Sequence, residues 1–383
     1  MAVKSWLAER LPLEFVRRFA LEQLSEPQPR HVNWLHTLGF TALLLFLAQL
    51  GTGLLLLFYY KPGAQTAYSS VQFITEKVTL GWFIRQMHVW GATFIVITVL
   101  LHLLRVYFSG AYKQPRELTW MAGMGLLLIT LLFTLTGYLL PWDQVAYWGT
   151  VVATDSTKEV PLLGPYLLEL VRGGETVSDL TLTRFFALHV TLLPLALLAL
   201  LALHLFLVRY HRIAPLTRTD QPQPSDEQLR AEGARPYYPD HFKREVLIAY
   251  SALALLVVVA LCSKPHLGAA ANPLVTPTGI KPEWYFLPVY QSLKYVPGWL
   301  GVLGNGALVL FLLVLPLLDR NPERHPRRRK LATWAGILFL AGGLVLGILG
   351  HLSDTTREIF GRKVHFNNQG MPHVVPEDDP SQP

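Results

Sequence analysis

The chain has 383 residues, 51% of them hydrophobic and only 15% charged, with a formal net charge of +7. So small a charged fraction, with long apolar stretches, argues against two or three soluble domains and for a bundle of spanning helices of about 20 residues each. The basic residues fall in short loops, where they orient a membrane chain rather than bind nucleic acid, and the single cysteine, Cys262, leaves no disulfide framework and no CxxCH haem-attachment motif.

The N-terminal stretch MAVKSWLAERLPLEFVRRFALEQL has no apolar core of the signal-peptide kind. It reads as an amphipathic helix on the membrane surface, with Trp6, Leu7, Phe15 and Phe19 toward lipid. Seven apolar segments follow: A, Leu38–Tyr60; B, Phe83–Phe108; C, Met121–Leu140; D, Phe185–Val208; E, Val246–Cys262; F, Leu300–Leu318; and G, Trp334–Leu352. E is close to the lower limit for a span. The polar stretch Arg209–Lys243, containing QPQPSDEQ, reads as a linker between a four-helix and a three-helix half. The expected fold is therefore an all-α integral membrane protein with seven transmembrane helices, divided into 1–215 and 216–383. The side bearing the N-terminus and the B–C, D–E and F–G loops holds 21 of the 33 Lys and Arg residues. That bias places the N-terminus in the cytoplasm and the C-terminus outside, in a bacterial plasma membrane.

Four histidines lie well inside spans: His88 and His102 on B, His189 and His204 on D. The steps are 14 and 15 residues, which return each helix to within about 40° and 60° of the same face, about 21–22 Å further along. B and D run in the same direction, so His88 is level with His189 and His102 with His204. A lone intramembrane histidine is as often a hydrogen-bonded core residue or a proton relay. Four at two depths are harder to explain that way, because polar groups in hydrocarbon are costly. A bare zinc ion would want more ligands at one depth. Two imidazoles at each level suit a planar cofactor that brings its own equatorial nitrogens, and haem is such a cofactor. Gly39 and Gly53 on A, and Gly123 and Gly137 on C, repeat the 14-residue step. They read either as walls that let a flat macrocycle approach or as ordinary helix packing. Arg85, Arg105 and Arg209 lie three to five residues from these histidines, as propionate partners or as interfacial anchors.

The motifs GWFIRQMH and HLLRVY on B, GYLLPWDQVAYWG after C, TRFFALH and LALHLFLVR on D, and PEWYF at Pro282–Phe286 resemble cytochrome b of the quinol–cytochrome c oxidoreductases, over nearly the whole chain. The 15-residue step on D, the seven spans and the polar linker make it more similar to the chloroplast-type cytochrome b fused to its subunit IV. The resemblance implies two non-covalent b-type haems, held by His88 and His189 on the outer side and by His102 and His204 on the inner side. Quinol would be oxidised at an outer pocket lined by Tyr138, Pro141, Trp142, Gly149 and Tyr285, with Glu283 as proton acceptor. A Glu283 that only caps a short surface helix is the alternative. Electrons would pass to a Rieske iron–sulfur protein, onward to a c-type cytochrome or equivalent acceptor, and through the haems to quinone at the inner face. The resemblance also implies a homodimeric complex embedded in lipid. Asp240, His241 and Lys243 are candidates for the inner quinone site. The cysteine that tethers an extra haem in the chloroplast-type protein is matched by Thr37, so no covalent haem is expected. A di-haem anchor of a dehydrogenase or hydrogenase needs neither PWDQ nor PEWY, and a transporter with histidine relays would show no haem absorption.

Overall fold

The computed structural model describes residues 6, 9–10, 12–263 and 266–374. Leu7 and the side chain of Phe19 lie outside these. The first helix, α1 (Leu13–Ser25), leaves Phe15 exposed, and Trp6 before it is exposed too, as a helix lying on lipid would require.

Next in chain order come β1 (Pro27–Gln28), α2 (Leu38–Leu57), α3 (Ala67–Glu76), α4 (Gly81–Phe108), α5 (Glu117–Leu139), α6 (Gln144–Asp155), α7 (Gly164–Arg172), α8 (Asp179–Ala187) and α9 (Leu193–His211). The second half holds α10 (Asp226–Ala231), β2 (Arg235–Pro236), α11 (Phe242–Cys262), α12 (Leu287–Leu293), α13 (Gly298–Leu318), α14 (Lys330–Leu352), β3 (Thr355–Ile359), β4 (Arg362–Phe366) and β5 (Pro372–Val374). Among the described residues, seven helices are long and apolar enough to span a membrane: α2, α4, α5, the continuous run α8–α9, α11, α13 and α14. Helices are the form such segments take, since hydrocarbon offers no partner for backbone N–H and C=O groups. Segment E is not short: its helix starts at Phe242 and carries Lys243, Arg244 and Glu245 in its first turn. Apolar patterning misses that turn because charged side chains occupy the interface there.

The mid-membrane core joins both halves. Leu45 and Phe46 of α2, Met87 and Ile95 of α4, Leu197 of α9, and Leu256 and Ala260 of α11 form one buried cluster. α11 packs on α2 and α4, and α13 on α5, where Trp120 Nε1 donates to the Leu312 carbonyl at 2.7 Å. The three-helix half thus lies against the four-helix bundle along its length. The stretch expected as a linker is ordered by tertiary contacts. It contains α10, and β2 pairs antiparallel with β1, Pro27 opposite Pro236. On the same side, Arg324 of the α13–α14 loop is wholly buried and donates to the carbonyls of Gln114 (2.5 Å) and Pro215 (3.3 Å). Asp319 accepts from Tyr112 (2.5 Å) and pairs with Lys113 (3.0 Å) and Arg329 (3.3 Å).

After α14 the chain forms a three-stranded antiparallel sheet in the order β3-β4-β5, which the helical patterning does not reveal. Its last turn is held by α12 and the residues just after it: Gln291 Nε2 and the Tyr295 hydroxyl donate to the Gln369 carbonyl at 2.9 and 2.7 Å.

Candidate functional site

His88 and His189 face each other from α4 and the α8–α9 run, ring centroids 6.2 Å apart and planes at 73°. That gap accepts one metal atom with two imidazole bonds of about 2 Å each. Neither ring is free to turn. Thr52 Oγ1 lies 3.0 Å from His88 Nδ1, and Thr136 Oγ1 lies 3.1 Å from His189 Nδ1. Each hydroxyl gives its own proton to a helix carbonyl, Thr52 to Ala48 and Thr136 to Leu132, both at 2.8 Å. With the hydroxyl protons on those carbonyls, each histidine donates from Nδ1, which leaves Nε2 unprotonated with a free lone pair. No hydrogen bond among the described residues uses the Nε2 atom of any of the four histidines.

The glycines belong to the histidines. An added Cβ would meet Cε1 of His102 at 3.3 Å from Gly39, of His88 at 3.2 Å from Gly53, of His204 at 3.2 Å from Gly123, and of His189 at 2.6 Å from Gly137. Each glycine thus makes room for one imidazole edge.

The longer step on the fourth span has a local cause. Leu188–Leu192 is a π turn, closed by the Leu193 N–H bonding to the Leu188 carbonyl. Pro194 follows, and in an α-helix its ring would collide with the carbonyl four residues back. One residue is absorbed where the helix widens. The 15-residue step therefore acts as a 14-residue one, and the pair on this span keeps the register of His88 and His102.

At the second level His102 is within electrostatic range of His204. Both Nδ1 atoms are buried without a hydrogen-bond partner. The Thr119 carbonyl faces His204 outside hydrogen-bond geometry. Among the described residues no three His, Cys, Asp or Glu side chains are placed to hold a metal ion together, so neither level has the donor set of a bare metal ion. Paired imidazoles in glycine cradles, two with preset tautomers, fit axial ligation of haem.

The three arginines differ. Arg85 is buried, donates from Nη2 to the His266 carbonyl at 2.8 Å, and has a buried Nη1 without partner. Arg105 likewise has a buried, unpartnered Nε. Both present spare donors for an anionic group. Arg209 is exposed and lies over the Tyr237 ring at 5.5 Å.

Toward the His88–His189 end of the bundle, the PWDQ stretch and the segment before α12 are clamped together. Asp143 caps α6 through Ala146 N (2.8 Å) and accepts from Gly268 N (3.1 Å). Gln144 N donates to the Ala269 carbonyl at 2.8 Å, and Ala271 N to the Trp142 carbonyl at 3.1 Å. Trp142, buried at a left-handed φ of 53°, packs edge-on to Tyr147. Pro141 is half-buried beside it. Gly149 lets Tyr138 lie across α6, since a Cβ there would stand 2.7 Å from the Tyr138 ring. Tyr138, Glu283 and Tyr285 are within electrostatic range of one another. Glu283 heads a turn in which its carbonyl accepts from Phe286 N at 2.8 Å, and the residue before α12 is Phe286, so its side chain caps no helix. Burial pushes its carboxyl above the ordinary value. The pocket is nevertheless less closed than the apolar context suggests, because the side chain keeps an exposed face.

Of the inner candidates, His241 is buried, Lys243 is exposed, and Asp240 lies 3.9 Å from Arg235. His241 Nε2 is 3.5 Å from Glu245, which also accepts from the Tyr237 hydroxyl at 2.5 Å. His36 lies within electrostatic range of Arg105, His31 and His241. His31 and His36 go unnoticed in the sequence because they come from a distant segment, and Tyr237 and Glu245, which flank the candidates, because they belong to no motif. Thr52 and Thr136 carry a signal, for each immediately precedes an outer-level glycine.

The family described as Cytochrome b/b6/petB matches residues 23–212, and Cytochrome b(C-terminal)/b6/petD matches 270–365. The chain is 34% identical to "Cytochrome b" of Rickettsia conorii, covering 91% of this chain and 86% of that one. It is 36% identical to "Cytochrome bc complex cytochrome b subunit" of Chlorobaculum thiosulfatiphilum, over 89% and 78%. To "Cytochrome b6" of Synechococcus elongatus it is 42% identical, over 55% of this chain and 97% of the other. Among solved structures, "Hyperthermophilic respiratory Complex III" superposes with a TM-score of 0.79 at 32% identity, covering 92% of each chain. Fold and site define a membrane cytochrome, and the chain belongs to the cytochrome b/b6 family. Within that family it is a cytochrome b subunit of a bc-type complex.

Proposed function

We propose that this chain is the di-haem subunit of a quinol:cytochrome c oxidoreductase, taking quinol at the outer face and reducing quinone at the inner face, with net proton translocation. The observation that carries the reading is the pairing of His88 with His189, 6.2 Å between ring centroids, repeated one level down by His102 and His204. When bound, b-type haem supplies a one-electron carrier at each level. The protein's own work is to hold the four Nε2 lone pairs inward and to offer Arg85 and Arg105 to propionates.

At the outer pocket Glu283 takes a proton from quinol. Its raised pKa brings it nearer the working pH, and its exposed face lets the proton leave. Tyr138 and Tyr285 flank the substrate over Gly149. His241, Glu245 and Tyr237 form the corresponding polar end at the inner face. The proposal includes a Rieske iron–sulfur protein and a c-type cytochrome as partners, a homodimer, a bacterial plasma membrane, and residues 1–215 and 216–383 as the two functional halves. It includes no covalent haem, since buried Thr37 stands at the tether position with its hydroxyl bonded to the Trp34 carbonyl at 2.7 Å.

The test is a reduced-minus-oxidised spectrum and redox titration of the purified complex. Two b-type components reducible by quinol are expected, with no haem-stained band at this chain's mass on denaturing gels. Absence of b-type absorption would return the histidines to a proton-relay role.

A further inference from the structure

The two histidine levels differ in one respect that their ligand sets do not require. At the outer level both Nδ1–H groups are held by threonine hydroxyls, His88 by Thr52 at 3.0 Å and His189 by Thr136 at 3.1 Å. At the inner level both Nδ1 atoms are buried and unpartnered. The difference is written locally. In each case the residue before the cradle glycine decides it: Thr52 before Gly53 and Thr136 before Gly137, but Leu38 before Gly39 and Ala122 before Gly123.

We propose that Thr52 and Thr136 are positioning residues that set the outer haem to a lower reduction potential than the inner one. A partner that accepts from Nδ1–H raises the basicity of Nε2, and a more basic axial ligand favours the oxidised, more positive iron. Both threonines are polarised in the right sense, because their own protons are committed to the Ala48 and Leu132 carbonyls at 2.8 Å. The inner ligands have no hydroxyl acceptor, and the Thr119 carbonyl that faces His204 lies outside hydrogen-bond geometry, so their iron keeps the higher affinity for an electron. Electron flow from the outer to the inner level is then downhill by construction of the two ligand shells. This rests on the haem-ligand reading above.

The experiment is an equilibrium redox titration of the assembled complex in Thr52→Val, Thr136→Val and the double variant, with Thr52→Ser and Thr136→Ser as conservative controls. Valine keeps the shape and removes the acceptor. The outer midpoint should rise while the inner one stays put, and serine should restore the wild-type value. Each threonine is expected to contribute on the order of a tenfold preference for the oxidised state, which is ~59 mV on a one-electron couple. The reciprocal variant Ala122→Thr places the same acceptor beside the inner ligand and should lower the inner midpoint alone. It keeps the test decisive should the valine variants lose their haem. An unmoved outer midpoint in a double variant that retains both haems overturns the proposal, as does an unmoved inner midpoint in Ala122→Thr. Failure of the underlying reading looks different: His88→Leu would then keep two b components.

Discussion

Gly137 and His189 are the tightest contact of the four histidine cradles: a Cβ on Gly137 would stand 2.6 Å from Cε1 of His189, against 3.2–3.3 Å at Gly39, Gly53 and Gly123. His189 sits in the π turn and is tied to Thr136, so its ring has little freedom to retreat. Gly137→Ala should therefore displace the imidazole, at about 1–3 kcal/mol of overpacking, and deplete the outer haem. Gly39→Ala needs His102 to yield only a few tenths of an ångström and should retain the inner haem. Haem content per complex and a redox titration compare the two. Equal retention in both variants would show that the cradles do not discriminate.

On the proposed haem ligation, each histidine serves one of two haems. His102→Leu or His204→Leu should remove the inner b component and largely spare the outer one, because the levels are about 21 Å apart along the helices. Titration of mutant membranes should show one component where the wild type shows two. Two surviving components in both mutants would remove these residues from the ligand set.

Sidedness can be read from two exposed positions. Phe360, at the tip of the β3–β4 hairpin, is 101% exposed, and Arg327 is exposed in the α13–α14 loop. In a Cys262→Ser background, an impermeant maleimide should label Phe360→Cys in intact cells and Arg327→Cys only after permeabilisation. The opposite pattern would invert which histidine level is outer.

Glu283→Gln should slow quinol oxidation on the order of 10²-fold while both haems remain, since the amide keeps size and an acceptor oxygen but takes no proton near neutral pH. Burial raises the Glu283 pKa. As pH falls through that raised value the carboxylate is protonated and stops accepting, so the wild-type rate should decline on the acid side at a higher pH than an unperturbed carboxyl, about 4.3, would give. The variant should lose that limb. Pre-steady-state haem reduction by quinol, with the inner site inhibited, measures both effects. A wild-type rate and profile would leave Glu283 a structural residue.

Spans, histidine levels and the glycine repeat are legible in the primary structure because each is local. Hydropathy follows from composition over about 20 residues, and a 14-residue step on one helix is a property of that helix alone. The same holds for the Thr-Gly pairs at positions 52–53 and 136–137, although their meaning appears only when His88 and His189 are set against them. The extra residue on the fourth span is visible as a number, but its effect is decided by the π turn ahead of Pro194. What only the tertiary structure decides is where segments far apart in sequence meet. It orders the supposed linker by pairing β2 with β1, and seals the halves with the buried Arg324. It also brings His36 within electrostatic range of His241, two hundred residues further along the chain. No periodicity encodes such meetings, because buried polar groups find their partners only after the helices have packed.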